Sequence, residues 1–270
     1  RHTRHQQFGA SNTLKPFVDA FTLLTIIPLP FGSGSSSPPS RFAPLFFPLV
    51  GLIIGLGAAA LFALIDEFLP RNLTAALVVV FTVGITGALH VDGLADFADG
   101  VFGGQTPESR LSIMKKPDIG TFGVAAVVLA LGVNWMALSS LTLGSVWIFL
   151  PIIGIVSRTA PLVIMSITKY VSANGLGSQY VGIPKPALIV VILLSLVISA
   201  AVGGGPTLSI AVGGIVAALV VGLLAKKRLG GANGDVYGAG IELAVFICLI
   251  GAAGVVDAGA ITDPFWTSSD

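Results

Sequence analysis

Charge is what this chain has least of: only 10% of its 270 residues are Asp, Glu, Lys or Arg, and its mean hydropathy is +0.95. A soluble domain carries about a quarter charged residues, so so little charge excludes an ordinary solvated fold. A single cysteine, Cys248, excludes an intramolecular disulfide, and its place in an apolar run reads as a buried, inert thiol. No cleavable signal peptide is evident. Residues 17–29 are apolar, but Pro28 and Pro30 break them and no small-residue cleavage site follows. With a net charge of +1, no nucleic acid is expected as a partner.

Long apolar runs fill the space that charge leaves. Cutting at polar breaks gives seven, at about 43–65, 72–90, 121–141, 146–167, 187–203, 207–225 and 240–258. Most approach or exceed the roughly 18 residues that cross a bilayer. The reading is all-α: a polytopic integral membrane helical bundle of about seven transmembrane helices. Residues 1–42 form an N-terminal segment with a short interfacial or re-entrant element at 17–31 and a flexible Gly32–Pro39 loop, 43–258 the membrane domain, and 259–270 an outer tail. His2 and His5 read as part of a disordered tail. Glycine is abundant, at 34 residues, and Gly51 and Gly55 form a small-xxx-small pair that predicts close helix packing.

The few cations fix an orientation. With the N-terminus inside and seven alternating spans, twelve of the fourteen Lys and Arg residues fall in cytoplasmic segments. Arg71 alone lies outside and Arg158 sits within a span. That bias predicts an N-in, C-out protein. Trp135, Trp147 and Trp266 then fall at the outer face, where an aromatic belt belongs.

Asp92, Asp96 and Asp99 fall within eight positions of each other in the cytoplasmic segment 91–120. On a helix their spacing places them at about 0°, 40° and 340°, one narrow face. Like charges that close call for a cation, and hard carboxylate oxygens suit Mg²⁺, whose shell substrate phosphates complete. Gly93, Gly100, Gly103 and Gly104 permit close backbone approach, and Arg110, Lys115 and Lys116 offer charge to phosphate oxygens. Glu108 reads as a solvated acid. His90, at the membrane end, is either a backbone-bonded histidine or a base. A second polar group follows in 226–240: Lys226, Lys227 and Arg228, a glycine-rich turn, Asn233 and Asp235, with Glu242 just inside the last span. Arg158 within a span is expensive and calls for an acid or a polar cavity, and Pro161 beside it predicts a kink. Asn174 lies in a further cytoplasmic turn.

These residues resemble the cobalamin synthase, or adenosylcobinamide-GDP ribazoletransferase, family. The resemblance rests on Phe47-Pro48-Leu49-Val50-Gly51, on Gly87-Ala88-Leu89-His90-Val91-Asp92-Gly93-Leu94-Ala95-Asp96-Phe97-Ala98-Asp99-Gly100, and on Ile119-Gly120-Thr121-Phe122-Gly123. It continues through Ser157-Arg158-Thr159-Ala160-Pro161 and Gly230-Gly231-Ala232-Asn233-Gly234-Asp235-Val236-Tyr237-Gly238-Ala239. Val91 and Phe97 depart from the usual Leu and Thr, and the order of charges around Lys116 and Asp118 looks reversed, which leaves both outside the core site. The resemblance implies a Mg²⁺-dependent transferase that joins adenosylcobinamide-GDP to α-ribazole or its 5′-phosphate and releases GMP. It implies a catalytic set of His90, Asp92, Asp96, Asp99 and Arg158, with Asp92, Asp96 and Asp99 as metal ligands. Substrate contacts would come from Gly93, Gly100, Gly104, Arg110, Asn174, Arg228, Asn233, Asp235 and Glu242. Expected partners are these small molecules and the bilayer, and exposed Gly and Ala faces permit a homo-oligomer. Competing readings are a CDP-alcohol-type phosphotransferase, whose aspartate motif matches only in part, and a transporter, which would place its acids near the bilayer midplane.

Overall fold

The computed structural model describes residues 11–29, 38–172 and 175–260. The expected roles of His2, His5, Asn174 and Trp266, and the loop from Gly32 to Ser37, lie outside the described residues. What is described is helical, apart from turns and an isolated bridge between Tyr170 and Ala232. The helices are α1 (Ser11–Leu24), α2 (Phe47–Asp66), α3 (Arg71–Ile85), α4 (Leu89–Gly103) and α5 (Pro107–Ile113). They continue with α6 (Thr121–Ser139), α7 (Leu143–Ile167), α8 (Lys185–Arg228) and α9 (Gly234–Asp257).

Five segments are long and apolar enough to cross a membrane: Ala43–Asp66, Thr121–Ser139, Leu143–Ile167, Lys185–Arg228 and Gly234–Asp257. Helices α3 and α4 together would make a sixth. The expected span at 72–90 is therefore corrected, because α3 and α4 are bent by 86°. Gly87 and Ala88 both take φ of 58°, a left-handed pair that no helix can continue through. The segment from 91 to 120 is in large part helix, α4 and α5.

At 44 residues, α8 would reach about 66 Å if straight, twice the roughly 30 Å of a hydrocarbon core. It is not straight. Gly203 and Gly204 leave helical geometry, and Thr207 Oγ1 donates to Ser199 O at 2.6 Å, a contact impossible along a continuous helix. Ser195 bonds Thr159 of α7 (2.8 Å), whereas further on Gly214 sits against Val156 and Gly222 against Ile164 and Ile167. The two halves of α8 thus run in opposite directions along α7.

Helix α7 is apolar all round and buried almost throughout, with α2, α8 and α9 packed about it. It runs on as one helix through Pro151 and Pro161. Its contact with α2 is backbone on backbone. A Cβ on Gly51 would lie 2.0 Å from Gly154 O, one on Gly55 2.3 Å from Leu150 O, and one on Gly154 2.1 Å from Gly51 O. The expected packing role of the Gly51–Gly55 pair is what these distances describe. Cys248 is buried beside Ile210 of α8.

The connections sort by end. Arg110 of α5 donates through Nη1 to Arg228 O at the end of α8 (3.2 Å), and across the 169–172 and 229–232 turns Val171 N donates to Ala232 O and Ala232 N to Lys169 O. Asp99 reaches the start of α6. These segments, which with the end of α8 hold seven of the chain's fourteen Lys and Arg residues, therefore share one end. Arg71 lies at the other, bonded to Asp66 and Leu141 O, near Trp135, which bonds Asn72 O.

Gly51→Leu would force α2 and α7 apart, costing more than the roughly 1–3 kcal/mol of ordinary overpacking. Gly132→Ala, where a Cβ meets nothing within 4 Å, should leave stability unchanged or slightly raised. Thermal unfolding midpoints of the two purified variants check the contrast.

Candidate active site

Helix α4 carries the acids, and its crossing with α9 builds the site. Gly93 turns its Cα face onto Asp235, where a Cβ would lie 2.9 Å from the Asp235 carbonyl oxygen, and Gly238 faces both Gly93 and the His90 backbone. Small residues at this crossing let two helix backbones touch. The result sets Asp96 among three like charges: Asp235 of the other helix, and Asp92 and Asp99 of its own. Asp92 is exposed, while Asp96 and Asp235 are half-buried.

Asp99 is different. It is 7% exposed and spends both oxygens on the start of α6: Oδ2 accepts from Gly120 N (2.6 Å) and Oδ1 from Gly123 N (2.8 Å). Gly120 and Gly123 have no Cβ because the Asp99 carboxylate occupies that space. An anion against orphan N–H groups at a helix N-terminus is favourable on both hydrogen-bond and dipole grounds. The three aspartates share a helix, as their spacing anticipates, but Asp99 turns into the protein and Asp92 away from it.

Gly100 and Gly104 lie against α5, their Cα faces closed by Met114 and Arg110. Arg110 itself is buried and caps the end of α8. Arg228 is exposed there. Asn233 caps α9, its Oδ1 accepting from Val236 N (3.1 Å), and its Nδ2 donates to Asp235 Oδ2 (2.7 Å), orienting that carboxylate.

A cavity of about 280 Å³ opens beside this crossing. His90, Asn233 and Asp235 line one edge of it, and Lys115 reaches it from the end of α5. His90 is buried with no partner for Nε2 among the described residues. Behind it stands Arg158, buried in α7, its Nη1 donating to Ser157 Oγ (2.9 Å), with His90 and Glu242 as its titratable neighbours. Arg158 and Glu242 line a separate cavity of about 70 Å³ with Asn134, deeper between the helices. The structure thus joins His90, Asn233 and Asp235 at one opening, with Asp92 and Asp96 adjoining, and sets Arg158 and Glu242 in a layer behind.

Sequence reasoning passed over the aromatic side of the large cavity. The chain has three tyrosines, and Tyr170, Tyr180 and Tyr237 all line it. Tyr170 and Tyr237 stack with ring centroids 6.3 Å apart, and Tyr180 meets Phe47 edge-on. Their rarity was the available signal. Burial pushes the Tyr180 phenol up to about 12 and raises that of Tyr170, so both stay neutral.

A helical, membrane-spanning protein with an open carboxylate face and a cavity at one end of its bundle is the class that fold and site define. The chain belongs to the cobalamin-5-phosphate synthase family, whose model matches residues 16–253. A relative from Prosthecochloris aestuarii, named adenosylcobinamide-GDP ribazoletransferase, is 35% identical over 240 residues, covering 85% of this chain and 94% of its own. Relatives of the same name from Syntrophobacter fumaroxidans and Bradyrhizobium diazoefficiens are 35% and 32% identical over 244 and 243 residues, covering 88% and 87% of this chain and 97% and 91% of their own. No solved structure matches.

Asp99→Ala should cost about 2–4 kcal/mol, because two buried N–H groups lose a charged acceptor. Asp92→Asn, at an exposed position, should stay within about 0.5 kcal/mol of the parent. Unfolding midpoints of the two variants in detergent test this division between the acids.

Proposed function

We propose that the chain is an adenosylcobinamide-GDP ribazoletransferase, joining adenosylcobinamide-GDP to α-ribazole or its 5′-phosphate and releasing GMP. The observation that carries this reading is the convergence of Asp96 with Asp235 beside the cavity, in a chain of a family whose relatives bear that name. A ribazole hydroxyl attacks the phosphorus on the cobinamide side of the pyrophosphate. One P–O bond forms, the bond from that phosphorus to the bridging oxygen breaks, and GMP leaves with the electron pair. Such a transfer needs positioning and charge neutralisation more than covalent help. The hydroxyl proton has acceptors at the cavity edge in the carboxylates and in the unpartnered Nε2 of His90.

The acids suit Mg²⁺. Asp92, Asp96 and Asp235 offer hard oxygens, and the two ion pairs found among the described residues, Lys15–Asp19 and Arg71–Asp66, involve none of them. Among those residues no three acidic, His or Cys side chains close into a ready-made cage. An open face completed by water and substrate phosphate is the usual manner of Mg²⁺ binding. Asp92 and Asp96, with Asp235 in place of Asp99, would hold the ion. When bound it would offset charge on the pyrophosphate. Asn233 keeps the Asp235 carboxylate turned to that face, and Arg158 supplies positive potential from behind His90.

The finer topology belongs to the same proposal: seven spans, counting the bent α3–α4 pair once and the halves of α8 separately, in the prokaryotic cytoplasmic membrane. The site then faces the cytoplasm. The clustering of cation-bearing turns at the site's end supports that orientation.

Mixing the purified protein with adenosylcobinamide-GDP, α-ribazole and Mg²⁺ should yield GMP and adenosylcobalamin by mass spectrometry, and CDP-activated alcohols should yield nothing. EDTA should abolish turnover and added Mg²⁺ restore it. Asp96→Asn and Asp235→Asn should each lower kcat by about 10²–10³-fold with folding intact. Near-normal turnover in both variants would overturn the assignment of these two acids.

A further inference from the structure

The large cavity is unusual in how it is walled. All three tyrosines of a 270-residue chain meet there, at a bundle end that is otherwise poor in aromatic pairs with polar tips. Tyr180 is 7% exposed and packs against Phe47, while Tyr170 and Tyr237 are half-buried and stacked on each other. Leu24, Pro161, Met165 and Ile241 add an apolar lining without hydrogen-bonding side chains, and Leu24 and Met165 pack in one cluster with Tyr180. Its ionisable and amide groups are His90, Asn233, Asp235 and Lys115, with Ser172 and the tyrosine hydroxyls as its other polar side chains.

We propose that this cavity receives the aromatic base of the acceptor nucleoside, with its ribose at the His90–Asp235 edge. The inference rests on the transferase reading and deepens it by separating the two substrates. At about 280 Å³ the cavity encloses a bicyclic base and part of a sugar, whereas a corrin-linked dinucleotide is several times larger. Guanine and the adenine of the adenosyl group carry donors and acceptors on their edges that Leu24, Pro161, Met165 and Ile241 leave unmatched. A benzimidazole has an apolar edge and two broad faces, which tyrosines and methionine suit. Neutral phenols serve as walls here, leaving acid–base work to the far edge. The placement also orders the chemistry: a base seated among the tyrosines holds its ribose hydroxyls toward Asp235, and so toward the Asp92–Asp96 face where the pyrophosphate lies.

The test is direct binding of free 5,6-dimethylbenzimidazole, and separately of GMP, to the full-length protein in nanodiscs, alongside steady-state kinetics. Met165→Trp fills the cavity from α7 and Tyr170→Leu opens its other wall, so a folding defect in one variant leaves the other to decide. The base should bind the parent and not Met165→Trp, and GMP should not compete with it. In both variants KM for α-ribazole should rise about tenfold or more, with KM for adenosylcobinamide-GDP within about twofold of the parent. Retained binding of the base by Met165→Trp, an equal rise in donor KM, or competition by GMP would overturn the assignment. Base binding lost on filling the cavity, in a protein that makes no cobalamin product, would instead uphold the cavity and overturn the transferase reading.

Discussion

Backbone touching backbone is the constraint on which this structure rests. Between helices in lipid there is no hydrophobic gain to be had, so close packing at small residues must supply the attraction. Gly51 and Gly154 seat α2 on α7, and Gly93 and Gly238 seat α4 on α9. The first contact also fixes the turn that carries Arg158, whose Cβ lies beside Gly51. The second draws an acid-bearing helix across the start of a membrane helix and brings Asp96 to Asp235. A methyl group at either crossing would part helices whose separation sets where the charges stand.

The acids that this packing gathers do two kinds of work. Asp99 is saturated by the amides of Gly120 and Gly123 and anchors α6 to α4. Asp92, Asp96 and Asp235 repel one another without an ion pair among the described residues, a cost that makes sense when a cation and a phosphate-bearing substrate share the face. Their repulsion is held in check by a rigid frame. Arg110 ties α5 to the end of α8, Asn233 caps α9, and the 169–172 turn is bonded to 229–232. Residues expected to touch substrate thus also hold the platform, because helix ends in a nearly charge-free bundle need every polar partner within reach.

Much of this was legible from residue type and spacing. The helical character of the chain, the packing role of Gly51 and Gly55, and the two separate groups, His90 with Asp92 and Asp96, and Asn233 with Asp235, follow from local pattern. The bend at Gly87–Ala88 was not, since Ala88 is an ordinary helix former that takes a left-handed conformation only under tertiary constraint. Nor was the tyrosine wall: Tyr170, Tyr180 and Tyr237 lie on three separate segments, and no periodicity connects them.

By itself, then, the sequence determined what is expensive in lipid: which runs are apolar, where charges are rare, and which acids stand close enough on one helix to demand a counterion. Those are properties of residue type and near spacing, and lipid enforces them. Only the tertiary structure decided which acid is spent on amides and which face outward, that Asp235 joins them, and that Arg158 stands behind the cavity. Each of those outcomes depends on helix crossings between distant segments, where the absence of a single Cβ sets the distance.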